Sequence, residues 1–422
     1  MTARSFRAVL AALVALALAP HAPAQAADPK PNLDAAASAI LIDARDGSVL
    51  LSKRPEAERS MASTTKLMTA LLTLERTKPD QVFTASKYRA APIESKISLR
   101  PGERMRVADL FEGLMLESAN DAAVTLAEGI SGSRPAFVRD MNERAGQLGL
   151  RHTRYSNPIG LDEGDNHSSA RDLAALARRL MTDRRFASVV GQPSAVLESG
   201  ARRRVVSNRN DLVGRYPYVK GVKTGRTREA GYVLVGAASN AAGARVISVV
   251  MGTPSESARD ATSLSLLQYG LKQFSRRKVL DADTPVATAK VEYRDQRARL
   301  VPGSDLLVLA RRGQKVRTRV NAPDELGETE AGERVGTIVV LRDGKVIDRV
   351  PLVTQAAVPG AGPLRKVVHG LGGLFTVLLI LLAVSVIVMV AMRQRSRRRE
   401  RERAERRRAR NRARARSEGQ IE

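Results

Sequence analysis

The chain has 422 residues and an apolar share of 43%, room for two or three folded units with ordinary cores. It has no cysteine and only four histidines, which excludes a disulfide framework and a thiolate metal site and leaves few imidazoles to act as ligands or bases. The formal charge is +26, of which residues 393–422, with fourteen Arg and five acids, supply +9. The remaining excess suits an anionic wall or membrane surface, although an arginine-rich genome gives the same balance.

At the start, Arg4 and Arg7 precede an apolar run from Ala8 to Ala19, and Ala24-Gln25-Ala26 follows. This three-part pattern predicts a secretory signal peptide over residues 1–26. Next, SAILIDARDGSVLLSK predicts a hairpin turning at Asp46-Gly47. KLMTALLTLER, RVADLFEGLMLESANDAAVTLAEGI, RPAFVRDMNERAGQLGL and SARDLAALARRLMTD carry helical periodicity. YVKGVKTGRT, AGYVLVGAAS and ARVISVVMG are short runs separated by turn residues, which predicts an antiparallel meander, and SLSLLQYGLKQF closes the segment as a helix. Strands, then helices, then strands point to an α+β unit over residues 27–278, one antiparallel sheet with helices on its faces.

Residues 279–355 read differently. VATAKVEY, ARLVPGSDLLVLA, KVRTRVNA and RVGTIVVLRDGKVIDRVPLVT are short strands, with a second hairpin signal at Asp343-Gly344. They predict a small all-β domain. Residues 356–370 read as a linker. Leu371 to Met392 carries no charge and, at ~1.5 Å per residue, is long enough for a transmembrane helix. The Arg-rich tail, 393–422, follows at once. Positive charge beside a span stays cytoplasmic, which puts the body of the chain outside. At this position the tail reads as a topology anchor attracted to anionic lipid rather than as a nucleic-acid ligand.

Three short motifs carry chemistry. Ser63-Thr64-Thr65-Lys66 opens a helical run, so Lys66 shares a face with Ser63. A serine needs a neighbouring base to become a nucleophile, and a buried lysine near another cation can supply it. Alone, such a pair is also what an N-cap serine and a solvent lysine look like. Ser118-Ala119-Asn120 offers a hydroxyl and an amide after a helix, though a simple turn explains it too. Lys223-Thr224-Gly225 lies on a predicted strand. There Thr224 can bond a carboxylate, Lys223 supplies charge, and Gly225 permits close approach. In this order, the three are the set shared by penicillin-binding proteins and class A β-lactamases.

RSMASTTKLMTAL resembles the active-site segment of the serine D-alanyl-D-alanine carboxypeptidases, the low-molecular-mass penicillin-binding proteins of peptidase family S11. LESANDAA, NPIGLDEGDNHSSARDLAALA, VKGVKTGRTREAGYVLV and VVMGTPSESARDATSLSLLQYGL resemble further blocks of that family, and GERVGTIVVLRDGKVIDRVPLV resembles its C-terminal domain. The resemblance implies a β-lactamase/DD-peptidase-like fold acting on the D-Ala-D-Ala end of peptidoglycan stem peptides, with β-lactams as covalent inhibitors and no metal or cofactor. It implies that Ser63 is the acylated nucleophile and Lys66 its base, with Ser118 and Asn120 lining the cleft. Lys223, Thr224 and Arg259 would face the substrate carboxylate, a role that suits a guanidinium. Backbone N–H groups of Ser63 and Arg226 would form the oxyanion hole.

Two positions depart from the family pattern: Met61, where proline is common, and Arg226, where histidine or a smaller residue is common. His167 reads as structural, positioning a loop under the site. No glutamate in NPIGLDEGDNH fits the deacylating base of a class A β-lactamase. A β-lactamase or DD-endopeptidase on the same scaffold, or a non-catalytic penicillin sensor, are the rival readings.

Overall fold

A computed structural model describes residues 29–418; the signal-peptide expectation falls outside that range. The chain divides into two compact units. The first holds residues 29–276 together with Leu309–Arg312, and the second holds the rest.

In the first unit, β1 (Ser38–Asp43) and β2 (Val49–Lys53) form the expected hairpin. Gly47 takes φ +78° and its N–H donates to the Asp43 carbonyl at 2.8 Å, a left-handed turn conformation that glycine adopts without strain. The meander is β3 (Val219–Thr227), β4 (Gly231–Ser239) and β5 (Arg245–Thr253). The sheet order is β2-β1-β5-β4-β3, antiparallel throughout.

The inner strands read as nearly continuous apolar runs because both faces of the sheet are covered. Ile40, Val233, Val235, Ile247 and Val249 point into one core. Their neighbours Leu41, Leu234, Val246 and Val250 point into the other. The helices are α1 (Lys66–Arg76), α2 (Val107–Met115), α3 (Asn120–Ser131), α4 (Arg134–Gln147), α5 (Ala170–Leu180), α6 (Arg184–Val190) and α7 (Glu256–Lys272). Leu266, Leu267 and Leu271 of α7 fill the second core, and α1 to α6 build the first. Helix α1 lies at its centre, with Leu67, Met68, Ala70, Leu71 and Leu72 all buried. That position explains why it is apolar nearly all round. Side chains of Ser133, Ser169, Asp183 and Ser255 cap the starts of α4, α5, α6 and α7; Ser169 Oγ accepts from Asp172 N–H at 3.1 Å, and Ser255 Oγ accepts from Ala258 N–H at 3.1 Å.

The long run from Arg106 to Ile130, read as helical, is two helices. Helix α2 stops at Met115, Ser118 takes φ +61°, and α3 begins at Asn120. A left-handed residue cannot continue a right-handed helix, so the break falls on the second motif.

The second unit contains β6 (Ala287–Val291), β7 (Arg297–Pro302), β8 (Val316–Asn321), β9 (Glu325–Leu326), β10 (Arg334–Arg342) and β11 (Lys345–Thr354). They form one sheet in the order β8-β10-β11-β7-β6-β9 over a core that includes Leu300, Ile338, Val340 and Leu352. Asp343 and Gly344 both have positive φ, +50° and +82°, between paired Arg342 and Lys345, the backbone of a two-residue hairpin turn. Helix α8 (Pro363–Glu418) follows as one continuous helix. Residues 363–370, expected as linker, are therefore helical. Pro363 starts the helix, where its missing N–H costs nothing, and pairs such as Glu402 and Arg406 support the tail at i,i+4 spacing. Within it, Val377–Arg412 holds a window with mean hydropathy 2.4, long and apolar enough to cross a membrane.

Candidate active site

Ser63 lies in a single 3-10 turn, Ala62–Thr65, that runs directly into α1. Ala62 is held at φ +48°, which costs an alanine on the order of 1–3 kcal/mol. Its neighbours impose the strain. Thr64 donates to the Met61 carbonyl from its N–H at 3.2 Å and from its hydroxyl at 2.6 Å. Gly160 approaches so closely that a Cβ there would lie 2.0 Å from the Ala62 oxygen. Met61 is itself fully buried in the core.

Lys66 is 0% exposed, with Nζ 3.0 Å from Ser63 Oγ and 2.6 Å from the Ile159 carbonyl oxygen. Asn157 shapes the turn that presents this carbonyl: its Oδ1 accepts from the N–H of Ile159 at 3.2 Å and of Gly160 at 2.6 Å. Burial, and then the charge on Lys223, push the Lys66 amine well below the ordinary lysine range, while Glu94 opposes them. Lowering its pKa raises the share of neutral amine, the form that can take a proton.

Strand β3 brings the third motif beside Ser63. A Cβ on Gly225 would stand 3.1 Å from Ser63 N and 3.2 Å from Met61 O, so this position admits no side chain without movement. Lys223 is 1% exposed, and its amine donates to the Thr224 carbonyl at 3.1 Å. Burial pushes its pKa down to about 7, helped by Arg209 and Arg259 and opposed by Glu117. Three cations therefore converge on one spot. Arg259 is 3% exposed on α7, held at 2.8 Å by both Glu256 and Asp260. Arg209 was not singled out from the sequence. Its N–H donates to the Leu116 carbonyl at 3.1 Å, and its Nε donates to Glu117 at 3.1 Å. Arg226 is exposed and lies with its guanidinium 5.1 Å over the Tyr232 ring, a cation–π contact that draws it along the sheet.

The second motif supplies unpaired polar atoms. Ser118 Oγ and Asn120 Oδ1 are buried with no hydrogen-bond partner among the described residues. Buried polar atoms are nearly always bonded, so these two mark a place for a ligand. The Asn120 amide nitrogen is engaged: it donates to Glu94 at 2.7 Å. Glu94 is a second residue absent from the sequence reading.

His167 pairs with Ser60 and with Arg154 across short strands, and its Nδ1 lies 2.7 Å from Asp165. The adjacent Asn166 donates to Thr65 Oγ1 at 3.3 Å. This places His167 beside the loop under the Ser63 turn. Among the described residues, no three His, Asp or Glu side chains gather as metal ligands.

An antiparallel sheet between two helical layers, with a serine and a buried lysine at the start of the central helix, is the DD-peptidase fold. Residues 24–255 match the family model for D-alanyl-D-alanine carboxypeptidases, and residues 274–360 match that for the C-terminal domain of penicillin-binding protein 5. The chain belongs to the D-alanyl-D-alanine carboxypeptidase family. It is 32% identical to D-alanyl-D-alanine carboxypeptidase DacF of Bacillus subtilis over 348 residues, 80% of this chain and 89% of that one. The structure of penicillin binding protein 5 from Haemophilus influenzae covers 79% of this chain and 99% of its own at 31% identity, with a TM-score of 0.56. The Streptomyces K15 DD-transpeptidase covers 58% of this chain and all of its own at 32% identity, with a TM-score of 0.55.

Proposed function

We propose that this chain is a serine D-Ala-D-Ala carboxypeptidase that releases the terminal D-alanine of peptidoglycan stem peptides. The observation that carries the reading is the pair formed by Ser63 Oγ and the buried Lys66 amine, 3.0 Å apart. Neutral Lys66 takes the Ser63 proton as Oγ attacks the carbonyl between the two D-Ala residues. The C–N bond breaks, the leaving amine takes a proton, and D-Ala departs. Water then attacks the ester and restores Ser63.

Lys223, Thr224, Arg209 and Arg259 form the cationic end that receives the terminal carboxylate, where charge-assisted bonds are strongest. Ser118 and Asn120 line the opposite side. The N–H groups of Ser63 and Arg226 serve as the oxyanion hole, supported by the position of Gly225 against Ser63 N. β-Lactams acylate the same serine. The protein is exported, with α8 spanning the cell membrane and the Arg-rich tail in the cytoplasm, a reading supported by the apolar window of α8.

The test is D-Ala release from a pentapeptide by the full-length protein in detergent, beside Ser63→Ala, with fluorescent penicillin labelling of both. Release and labelling that vanish together in Ser63→Ala support the reading. Wild-type protein that does neither removes it.

A further inference from the structure

The loop of residues 85–103, between the short strands Val82–Thr84 and Arg104–Arg106, is bound to the start of α3 by four contacts. Asn120 N–H donates to the Ser95 carbonyl at 2.8 Å. The N–H groups of Ile97 and Leu99 donate to Asp121 at 3.1 and 2.9 Å. The fourth contact runs between side chains, from Asn120 Nδ2 to Glu94 Oε2 at 2.7 Å. Glu94 is fixed in turn. The Tyr88 hydroxyl donates to the same oxygen, and Ala91 N–H donates to Oε1 at 2.8 Å.

An asparagine carboxamide has nearly the same shape either way round, so its partner decides which end faces where. A carboxylate only accepts. Glu94 therefore compels the NH2 end of Asn120 to face the loop and leaves Oδ1, which has no partner among the described residues, for a donor brought by the substrate. We propose that Glu94 is a positioning residue of this site: it sets the orientation of the Asn120 carboxamide and fastens the 85–103 loop to the cleft. The inference rests on the acyl-transfer reading of that cleft.

A second consequence concerns charge. Lys66 faces two ionisable groups, Lys223 and Glu94, and Glu94 is the one that favours its protonated form. Burial alone would raise the Glu94 carboxyl. Hydrogen bonds from Tyr88, Asn120 and Ala91 N–H, with the Lys66 charge, more than offset this and hold it below the usual carboxylate range. Glu94 is thus ionised wherever the reaction runs. Tyr88, itself pushed up by burial and by Glu94 with a smaller push from Glu163, stays neutral as a donor.

The experiment is a double-mutant cycle on the full-length protein in detergent. It uses Glu94→Ala, Asn120→Ala, the double variant and Glu94→Gln, with D-Ala release and penicillin acylation measured across pH. Glu94→Ala should lower kcat by about 10- to 100-fold with a smaller change in KM. The double variant should be no slower than Asn120→Ala. Glu94→Gln keeps an acceptor for Asn120 but loses the charge, so it should retain most of the rate while its acid limb of kcat/KM moves to lower pH. Losses that multiply in the double variant, or Glu94→Ala at the wild-type rate, overturn the inference. If Glu94→Ala does not fold, an unshifted acid limb in Glu94→Gln overturns it instead. A wild-type protein that releases no D-Ala sinks the peptidase reading, whereas an active wild type with any of these results sinks this inference alone.

Discussion

The Lys66 amine donates to the Ile159 carbonyl at 2.6 Å, and this contact decides which face of the nitrogen Ser63 meets at 3.0 Å. A neutral amine has two N–H donors and one lone pair. With one N–H spent on Ile159, the lone pair is free to turn to the serine hydroxyl. Protonation removes it. Because burial lowers the Lys66 pKa, the active form persists to lower pH than in an ordinary lysine and is lost as pH falls through that lowered value. Acylation by penicillin should therefore decline about tenfold per pH unit on the acid side. Lys66→Arg, always protonated, should acylate about 100- to 10,000-fold more slowly. Stopped-flow acylation across pH measures both, and an arginine variant at the wild-type rate would remove Lys66 as the base.

In its proposed role Lys223 binds a carboxylate only when protonated, and burial pushes its pKa down to about 7. Above that pH the free enzyme loses its cation, so KM for the pentapeptide should climb while kcat holds. Lys223→Met should raise KM by about 10- to 100-fold at pH 7. The same shift affects stability. The unfolded lysine titrates near about 10.4, so between the two values the unfolded chain binds more protons and this group makes stability rise with pH. Lys223→Met removes that cost. Its Tm should exceed the wild type at pH 7, with the gain shrinking toward pH 10. A calorimetric scan that found the reverse order would contradict the assigned shift.

Gly160 and Gly146 make a matched pair. Gly160 has φ +89°, and a Cβ there would collide with the Ala62 oxygen at 2.0 Å. Gly160→Ala should cost at least about 3 kcal/mol and abolish acylation, since the turn holding Ser63 must move. Gly146 lies in α4 with nothing within 4 Å of a built Cβ. Gly146→Ala should stabilise by about 0.5–1 kcal/mol. Chemical denaturation of both checks the contrast.

Membrane attachment by α8 is testable by truncation. A chain ending at residue 362 should partition into the aqueous phase and keep penicillin binding, while the full chain stays with the membrane. A truncated chain that remained in the membrane fraction would place the anchor elsewhere.

Much of this architecture was legible in the residues, for physical reasons. The strand runs of β4 and β5 are apolar without alternation because two helical layers cover them. Both hairpins announce themselves by an Asp-Gly pair whose glycine has positive φ. Ser63, Lys66 and Gly225 could be read because their spacing on a helix start and a strand survives folding unchanged. The rest depends on long-range contact. Glu94 lies 26 positions from Asn120, in a loop with no periodicity, and nothing local marks it. Arg209 is one arginine among many until folding sets its charge beside Lys223. The Ile159 carbonyl has no sequence signature, since every residue carries one; only Asn157, a turn-forming residue in NPIG, hinted at it. The break at Ser118 showed only in the Ser-Ala-Asn motif after a helical run, because the apolar spacing runs through it.

Among the described residues Ser118 Oγ and Asn120 Oδ1 are buried without partners, and an unsatisfied buried polar atom costs about 1–3 kcal/mol. A ligand that brings a donor to Asn120 and a hydrogen-bond partner to Ser118 would offset that cost. An inhibitor that acylates Ser63 and satisfies both atoms acts on the whole unit, as a folding ligand does. The acylated protein should accordingly outlast the unmodified one under proteolysis.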